Sequence, residues 1–319
     1  MGHTIDVYII SGFLGSGKTT VLKKLVEASR QQGKQVGVIL NELGDTNVEQ
    51  HLFALEKTVE LLNGCICCSM QDDLKETLHQ FIEHQVDVLF IEGTGVANPN
   101  EIVEAIVSPE MIDHYSIQSI ISLVDASQYL DYQSVFSSSK EIRTLLKEQI
   151  TCASLIILNK VDLVADRKMK KVVASIEKQA TGVPILNSTF GNVEVEELLK
   201  ARVQTLDVNS SKCTCGSGDT CSHHHHATLK AVKFTEVPVF SKKEFEKWLK
   251  QLPKEVLRGK GIVKFDETDA LYSFQYASGH LQIEEISSSQ APIIILIGDR
   301  LELTSLKDKY EETFLHKLS

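Results

Sequence analysis

The stretch "IDVYIISGFLGSGKTTVLKKLVEASRQQ", from Ile5 onward, constrains the fold more than any other part of the chain. An unbroken β-branched run reads as a buried strand, the glycine-rich turn Gly12–Thr19 matches G-x-x-x-x-G-K-[ST] in full, and an amphipathic helical pattern follows. In that context the glycines, Gly12, Gly15 and Gly17, let backbone amides curl around phosphate oxygens. The helix start adds unpaired donors and a favourable dipole. Lys18 is expected to reach the β- and γ-phosphates, Thr19 to ligate magnesium, and Ser16 and Thr20 to complete the loop.

Further apolar runs repeat the pattern. "QVGVILN", "VDVLFIE", "IQSIISLVDA" and "SLIILNK" read as strands, and helical segments such as "DLKETLHQFIEH" lie between them. Unbroken apolar strands alternating with helices predict an α/β fold with a mostly parallel sheet covered by helices on both faces. At 319 residues a second, smaller unit is expected. The boundaries read from composition are 1–203 for the P-loop domain, 204–228 for a polar linker rich in Gly, Ser, Cys and His, and 229–319 for an α+β domain with a mostly antiparallel sheet.

Three further segments carry chemistry. "NKVD", Asn159 to Asp162, ends a strand; the Asp162 carboxylate can accept from guanine N1 and its exocyclic amine, which adenine lacks. Asn159 either bonds the base or braces the loop, and Lys160 lies between them. "IEGTG" ends another strand and brings Glu92 toward magnesium or an attacking water, with Gly95 as a contact to the γ-phosphate. Asp45, beyond the strand that holds Asn41, is the other candidate for water or metal, and spacing does not choose between it and Glu92.

Cysteine usage is uneven. Of seven cysteines, Cys65, Cys67 and Cys68 form "CICC", while Cys213, Cys215 and Cys221 precede His223, His224, His225 and His226. Thiolates and imidazoles at this spacing suit zinc or another soft to borderline cation. A three-thiolate set leaves one tetrahedral position for an incoming donor, as a carrier needs. The plainer alternatives are buried apolar cysteines or a redox pair at "CICC", and a polar linker of incidental composition in the second segment. Cys152, in an apolar stretch, reads as a core residue.

The formal charge of −10 argues against nonspecific binding to nucleic acid or anionic membranes. The start of the chain shows no basic leader, so a cytoplasmic location is expected.

Taken in order, "SGFLGSGKTT", "NELGD", "LLNGCICC", "IEGTG" and "NKVDL" resemble the CobW-like metallochaperone GTPases, on their zinc-related branch. The resemblance is weaker at "RGKG" and "IGDRLE" in the C-terminal part. It implies GTP and GDP as nucleotides and magnesium and zinc as metals, with Glu42 and Asp45 in a first switch and Glu92 in a second. It implies Asn159 and Asp162 at guanine, with the backbone around Ser188 and Thr189 completing the base pocket. Cys65, Cys67 and Cys68 become metal ligands, with Glu42 a further one. The activity implied is GTP hydrolysis timing zinc delivery to a client metalloprotein, with self-association across the nucleotide. Alternatives are a GTP-binding sensor or scaffold with structural zinc, delivery of cobalt or nickel, and a P-loop kinase. Trp248 is either a docking aromatic or a core residue, the latter preferred.

Overall fold

The computed structural model describes residues 3–40, 57–60, 70–95, 97–207, 229–277, 279–287, 289–299 and 301–315. The chain divides into two compact units, one comprising Met1–Ile106 and Met111–Arg202, the other Val203–Ser319 with Val107–Glu110.

In the first unit seven strands form one parallel sheet: β1 (Ile5–Gly12), β2 (Val36–Leu40), β3 (Lys57–Glu60), β4 (Val88–Glu92), β5 (Tyr115–Asp125), β6 (Leu155–Asn159) and β7 (Ile185–Asn187), in the order β3-β2-β4-β1-β5-β6-β7. The helices are α1 (Lys18–Gln31), α2 (Met70–Glu83), α3 (Pro99–Ile106), α4 (Tyr129–Gln133), α5 (Lys140–Thr151), α6 (Asp166–Gln179) and α7 (Val195–Leu198). Strands β2, β4 and β6 are buried at every position, as their continuous Val, Ile and Leu content requires when both faces are covered. On one face Tyr8, Ile10, Val38 and Phe90 pack with Val21, Leu22 and Leu25 of α1. Val124, Ile156 and Leu158 instead pack with Leu146 and Ile150 of α5 and Val172 and Ile176 of α6. Close approach is enforced in β2, where a Cβ on Gly37 would lie 2.7 Å from the Phe81 ring of α2.

Strand β1 is the centre of this order: the chain leaves it for β2 and β3 on one side, returns to β4 beside it, and then crosses to β5, β6 and β7 on the other. That reversal of direction makes the carboxyl end of β1 the topological switch point, where open parallel sheets bind ligands. Registry then fixes which side chains gather there. Ile10 and Leu40 are both aligned with Glu92, Gly12 with Leu123, and Asp125 with Asn159.

The second unit is a six-stranded sheet in the order β12-β11-β10-β13-β9-β8, comprising β8 (Val203–Asp207), β9 (Leu229–Phe234), β10 (Val256–Lys264), β11 (Leu271–Ala277), β12 (His280–Ile286) and β13 (Ile293–Asp299). All its pairs are antiparallel except β8 with β9. Helices α8 (Lys242–Lys250) and α9 (Leu303–Tyr310) complete it. Val203–Asp207, whose polar composition suggests the start of a linker, is thus a strand of this sheet. The Cys/His-rich segment lies in the sequence between β8 and β9, which are neighbouring parallel strands. Its residues, Cys213, Cys215, Cys221 and His223 to His226, lie outside the described ones.

Trp248 is 2% exposed, with its ring among those of Phe234, Phe245, Tyr310 and Phe314. It is therefore a core aromatic. Its Nε1 has no hydrogen-bond partner among the described residues, a state that costs stability for a buried donor. Trp248→Phe, which deletes that donor and keeps a ring, should cost under about 1.5 kcal/mol, whereas Trp248→Ala should cost about 3–5 kcal/mol. Chemical denaturation followed by circular dichroism measures both; equal losses would show that the aromatic ring kept by phenylalanine contributes nothing at this position.

Candidate functional site

The loop between β1 and α1 is shaped by glycines in the left-handed region: φ is 138° at Gly12, 71° at Gly15 and 106° at Gly17. Gly17 is also the N-cap of α1, so no side chain caps the helix and its first amides face the loop. A Cβ at Gly17 would fall 2.6 Å from Asn159 Nδ2, so glycine is required there for space as well as for φ. Lys18 is 7% exposed, and its Nζ donates to Phe13 O at 3.4 Å, which folds the ammonium over the loop. Ser16 is fully buried, and Thr20 is on the exposed side of α1.

Glu92 ends β4 and is 9% exposed. Thr19 Oγ1 donates to its carboxylate, 3.2 Å from Oε1 and 3.4 Å from Oε2. A hydroxyl and a carboxylate side by side at the helix start are hard oxygen donors that fit magnesium. Gly95, three residues on, presses against the loop: a Cβ there would lie 2.7 Å from the Leu14 nitrogen. The segment is supported from α5 by Gln149, 1% exposed, whose Nε2 donates to Gly95 O at 3.3 Å and Ala97 O at 3.4 Å.

On the other side of β1, Asn159 spans two loops. Its Nδ2 donates to Ser16 O at 2.8 Å, and its Oδ1 accepts from Gly191 N at 3.0 Å. Of the two roles open to it from sequence, the amide engages in bracing. Lys160 follows with φ 59°, and its Nζ meets Asp125 Oδ2 at 2.6 Å. Asp162 is exposed in the 3-10 turn Val161–Leu163. Ser188 is buried; its N donates to Leu158 O at 2.9 Å, and its carbonyl accepts from Val161 N at 3.3 Å, which joins the loop after β7 to the loop after β6. Thr189 O accepts from Asn192 N at 3.0 Å. Lys18, Thr19 and Glu92 are thus gathered at one point, and Asn159, Lys160, Asp162, Ser188 and Thr189 at neighbouring loops.

Glu42, Asp45, Cys65, Cys67 and Cys68 lie outside the described residues. Among the described residues no group of three or more His, Cys, Asp or Glu could hold a metal ion.

Asp125 and Gln149 were not singled out by sequence. Asp125 ends β5 just as Glu92 ends β4 and Asn159 ends β6, so a polar residue closing an unbroken apolar strand is the signal that identifies it. Burial opposes its ionisation, but the Lys160 ammonium and the Ser127 hydroxyl and amide hold its carboxyl below the ordinary 3.8. A depressed folded-state value means stabilisation that is complete above the unfolded value and is lost as pH falls through the folded one. Asp125→Asn should therefore cost about 1–2 kcal/mol at neutral pH, discounted for the partly exposed lysine. The difference from wild type should fade below pH 3.8, and denaturation at pH 7 and pH 3 reads it. A gap that persists unchanged at the lower pH would mean the ion pair is not its source.

No helix among the described residues is long and apolar enough to cross a membrane. Residues 6–187 match the family model "CobW/HypB/UreG, nucleotide-binding domain", and residues 229–315 match "Cobalamin synthesis protein cobW C-terminal domain". The zinc chaperone CobW of Sinorhizobium sp is 29% identical over 227 residues, covering 63% of this chain and 64% of that protein. The zinc chaperone YjiA of Escherichia coli is 31% identical over 217 residues, 65% of this chain and 64% of its own. The matched region thus spans just under two thirds of each of these relatives. Zinc-regulated GTPase metalloprotein activator 1 of Schizosaccharomyces pombe is 26% identical over 354 residues, 94% of this chain and 84% of that protein. The solved structure of Zn(II)-bound YjiA GTPase from E. coli is 19% identical, with a TM-score of 0.49 over 97% of this chain and 99% of that one. With a P-loop fold and both family domains matched in order, the chain belongs to the CobW/HypB-like P-loop GTPase family, among its zinc-related CobW and YjiA homologues.

Proposed function

We propose that this protein hydrolyses GTP and uses the nucleotide cycle to bind zinc and deliver it to a client metalloprotein. The observation that carries the reading is registry at the carboxyl edge of the sheet. Leu40 is aligned with Glu92 and, across β2, with Glu60, so the chain that leads to Glu42 and the chain that leads to Cys65 leave adjacent strands beside the carboxylate that touches Thr19. A change at the γ-phosphate and a change in a thiolate set are thereby given neighbouring starting points.

The residues divide the work. The amides of Gly15 to Thr19 and the Lys18 ammonium would hold the β- and γ-phosphates and stabilise charge on the transferring group without reorganising. Thr19 and Glu92 would hold magnesium, which when bound offsets phosphate charge. Asp45 or Glu92 would orient the attacking water. Asp162 would read the guanine edge, with Lys160 held in place by Asp125, and Asn159 would keep that edge at a fixed distance from the phosphates. Glu42, Cys65, Cys67 and Cys68 would take zinc, which is cargo here. Cys213, Cys215, Cys221 and the four histidines would form a second metal-binding segment. We further propose a cytoplasmic location, with no nucleic acid or membrane partner. Cobalt or nickel as cargo, or a sensor or scaffold with structural zinc, are the competing readings.

Replacing Asp162 by Ala should weaken GDP binding by about 1.5–3 kcal/mol and narrow the preference for GTP over ATP, because a charged acceptor is lost. Calorimetric titration with each nucleotide checks it. Equal affinities of wild type for GTP and ATP would refute the base assignment.

The transfer mechanism has its own test. The zinc affinity at Cys65 to Cys68 should differ between GDP and a nonhydrolysable GTP analogue, typically by about 1–3 kcal/mol, and zinc should shift nucleotide preference by the same factor. The second metal segment must be silenced by Cys→Ser and His→Asn changes at Cys213, Cys215, Cys221 and His223 to His226. Deletion is unsuitable, since the segment has to cross between parallel β8 and β9. Identical zinc affinity in the two nucleotide states would leave zinc structural and end the chaperone reading.

A further inference from the structure

Among the described residues three non-glycine residues have positive φ: Gln85, Lys160 and Phe190. Two of the three lie on the neighbouring loops after β6 and β7. Backbone strain of this kind persists where the surroundings impose it, and it collects at binding sites.

Phe190 is the sharper case. Thr189, Phe190, Gly191 and Asn192 form a turn closed by Asn192 N to Thr189 O at 3.0 Å, with φ of 54° at Phe190 and 63° at Gly191. Positive φ at both central positions is the type I′ arrangement, for which Asn-Gly is the favoured pair. A phenylalanine at the first position sets its Cβ against the following carbonyl. Burial does not compensate, because the residue is 82% exposed.

The turn is held from three directions. Gly191 N donates to Asn159 Oδ1, and Lys24 Nζ donates to Gly191 O and to Asn192 Oδ1, each at 3.0 Å. A Cβ on Gly191 would lie 3.2 Å from Val21 and 3.4 Å from Thr20, so the turn sits against the start of α1. Through Ser188 O and Val161 N it adjoins the turn that carries Asp162. A large flat apolar side chain is thus displayed, on a rigid mount, between the helix that follows the phosphate loop and the loop that carries the base-reading carboxylate.

We propose that the Phe190 ring is the surface on which the nucleotide base stacks, an inference that rests on the nucleotide-binding reading above. Asp162 can bond only the edge of the base, and an edge contact alone leaves the ring plane free to tilt. An aromatic ring carried on an anchored backbone supplies the missing constraint. Stacking uses the π-face that every base has, so Phe190 contributes affinity shared by guanine and adenine nucleotides, whereas Asp162 contributes the difference between them. The exposed apolar area and the strained φ are then explained by the ligand that covers the ring.

Phe190→Asn separates the ring from the turn, since Asn suits positive φ and the type I′ position yet has no aromatic face. In the full-length chain it should leave the melting temperature without nucleotide unchanged or higher, weaken GDP about tenfold or more, and leave the ratio of GDP to ADP affinity as in wild type. Phe190→Trp should keep GDP affinity and show indole emission quenched by GDP beyond the wild-type change, where Trp248 is buried in the second unit. If Phe190→Asn binds GDP as tightly as wild type, or Phe190→Trp shows no added quenching, the ring does not stack on the base and its exposure serves another contact. A wild-type protein that binds neither GDP nor GTP overturns the nucleotide reading itself together with this inference. Wild-type binding that survives Phe190→Asn intact overturns only the stacking role.

Discussion

The amide of Asn159 is the contact on which the site depends. It donates to Ser16 O in the loop after β1 and accepts from Gly191 N in the loop after β7, linking positions 143 and 32 residues away. A neutral amide offers a donor and an acceptor on separate atoms of one short side chain; a carboxylate of the same size could serve the Gly191 amide but would repel the Ser16 carbonyl. The contact also explains a residue elsewhere. Gly17 cannot carry a Cβ because Asn159 Nδ2 occupies that space. Two motifs that look independent in sequence, the glycine-rich turn and "NKVD", are therefore one packed object.

Around that contact the carboxyl edge of the sheet carries a row of polar side chains, each satisfied in its own way. Glu92 closes β4 and meets Thr19; Asp125 closes β5 and meets Lys160 and Ser127; Asn159 closes β6. All three are less than a tenth exposed. A buried carboxylate without partners would protonate or destabilise the fold, so the partners determine which acids this edge tolerates. The two lysines of the edge are held differently as a result: the ammonium of Lys160 is engaged by Asp125, while that of Lys18 is folded over the glycine-rich loop. The row also shows why the site forms at β1. Only there do the ends of strands running to both sides come together.

Much of this architecture was legible because burial on both faces leaves a plain signature. "VGVIL", "VLFIE" and "LIILN" are apolar throughout, and each is a strand. Strands β3, "KTVE", and β8, "VQTLD", left no such trace, since both are short and polar and exist through pairing with β2 and β9. At the site, Lys18, Thr19 and Glu92 could be read from motif and strand ends. Asp125 was hidden within the strand "SLVD", although it follows the same rule as Glu92. Gln149 carries no sequence signal, because its role arises when α5 packs near Gly95. Phe190 was equally silent: neither a turn's φ nor the exposure of its ring is encoded in the letters "TFGN", and only the turn's anchoring makes them informative.

The second unit changes how the Cys/His-rich segment has to be understood. By composition it reads as a tether with free ends, in which case ordering it around an ion would cost the entropy of a long flexible chain. Its ends are instead the close of β8 and the opening of β9, adjacent parallel strands with Val203 aligned to Leu229 and Asp207 to Lys233. Parallel neighbours require a crossover of about a dozen residues or more, so part of the segment's length is demanded by topology before any ligand role is considered. The closure entropy of that crossover is met when the sheet folds. On the metal-binding reading proposed above, sheet pairing in the C-terminal unit and metal affinity in the segment are coupled quantities, even though none of its cysteines or histidines belongs to either strand.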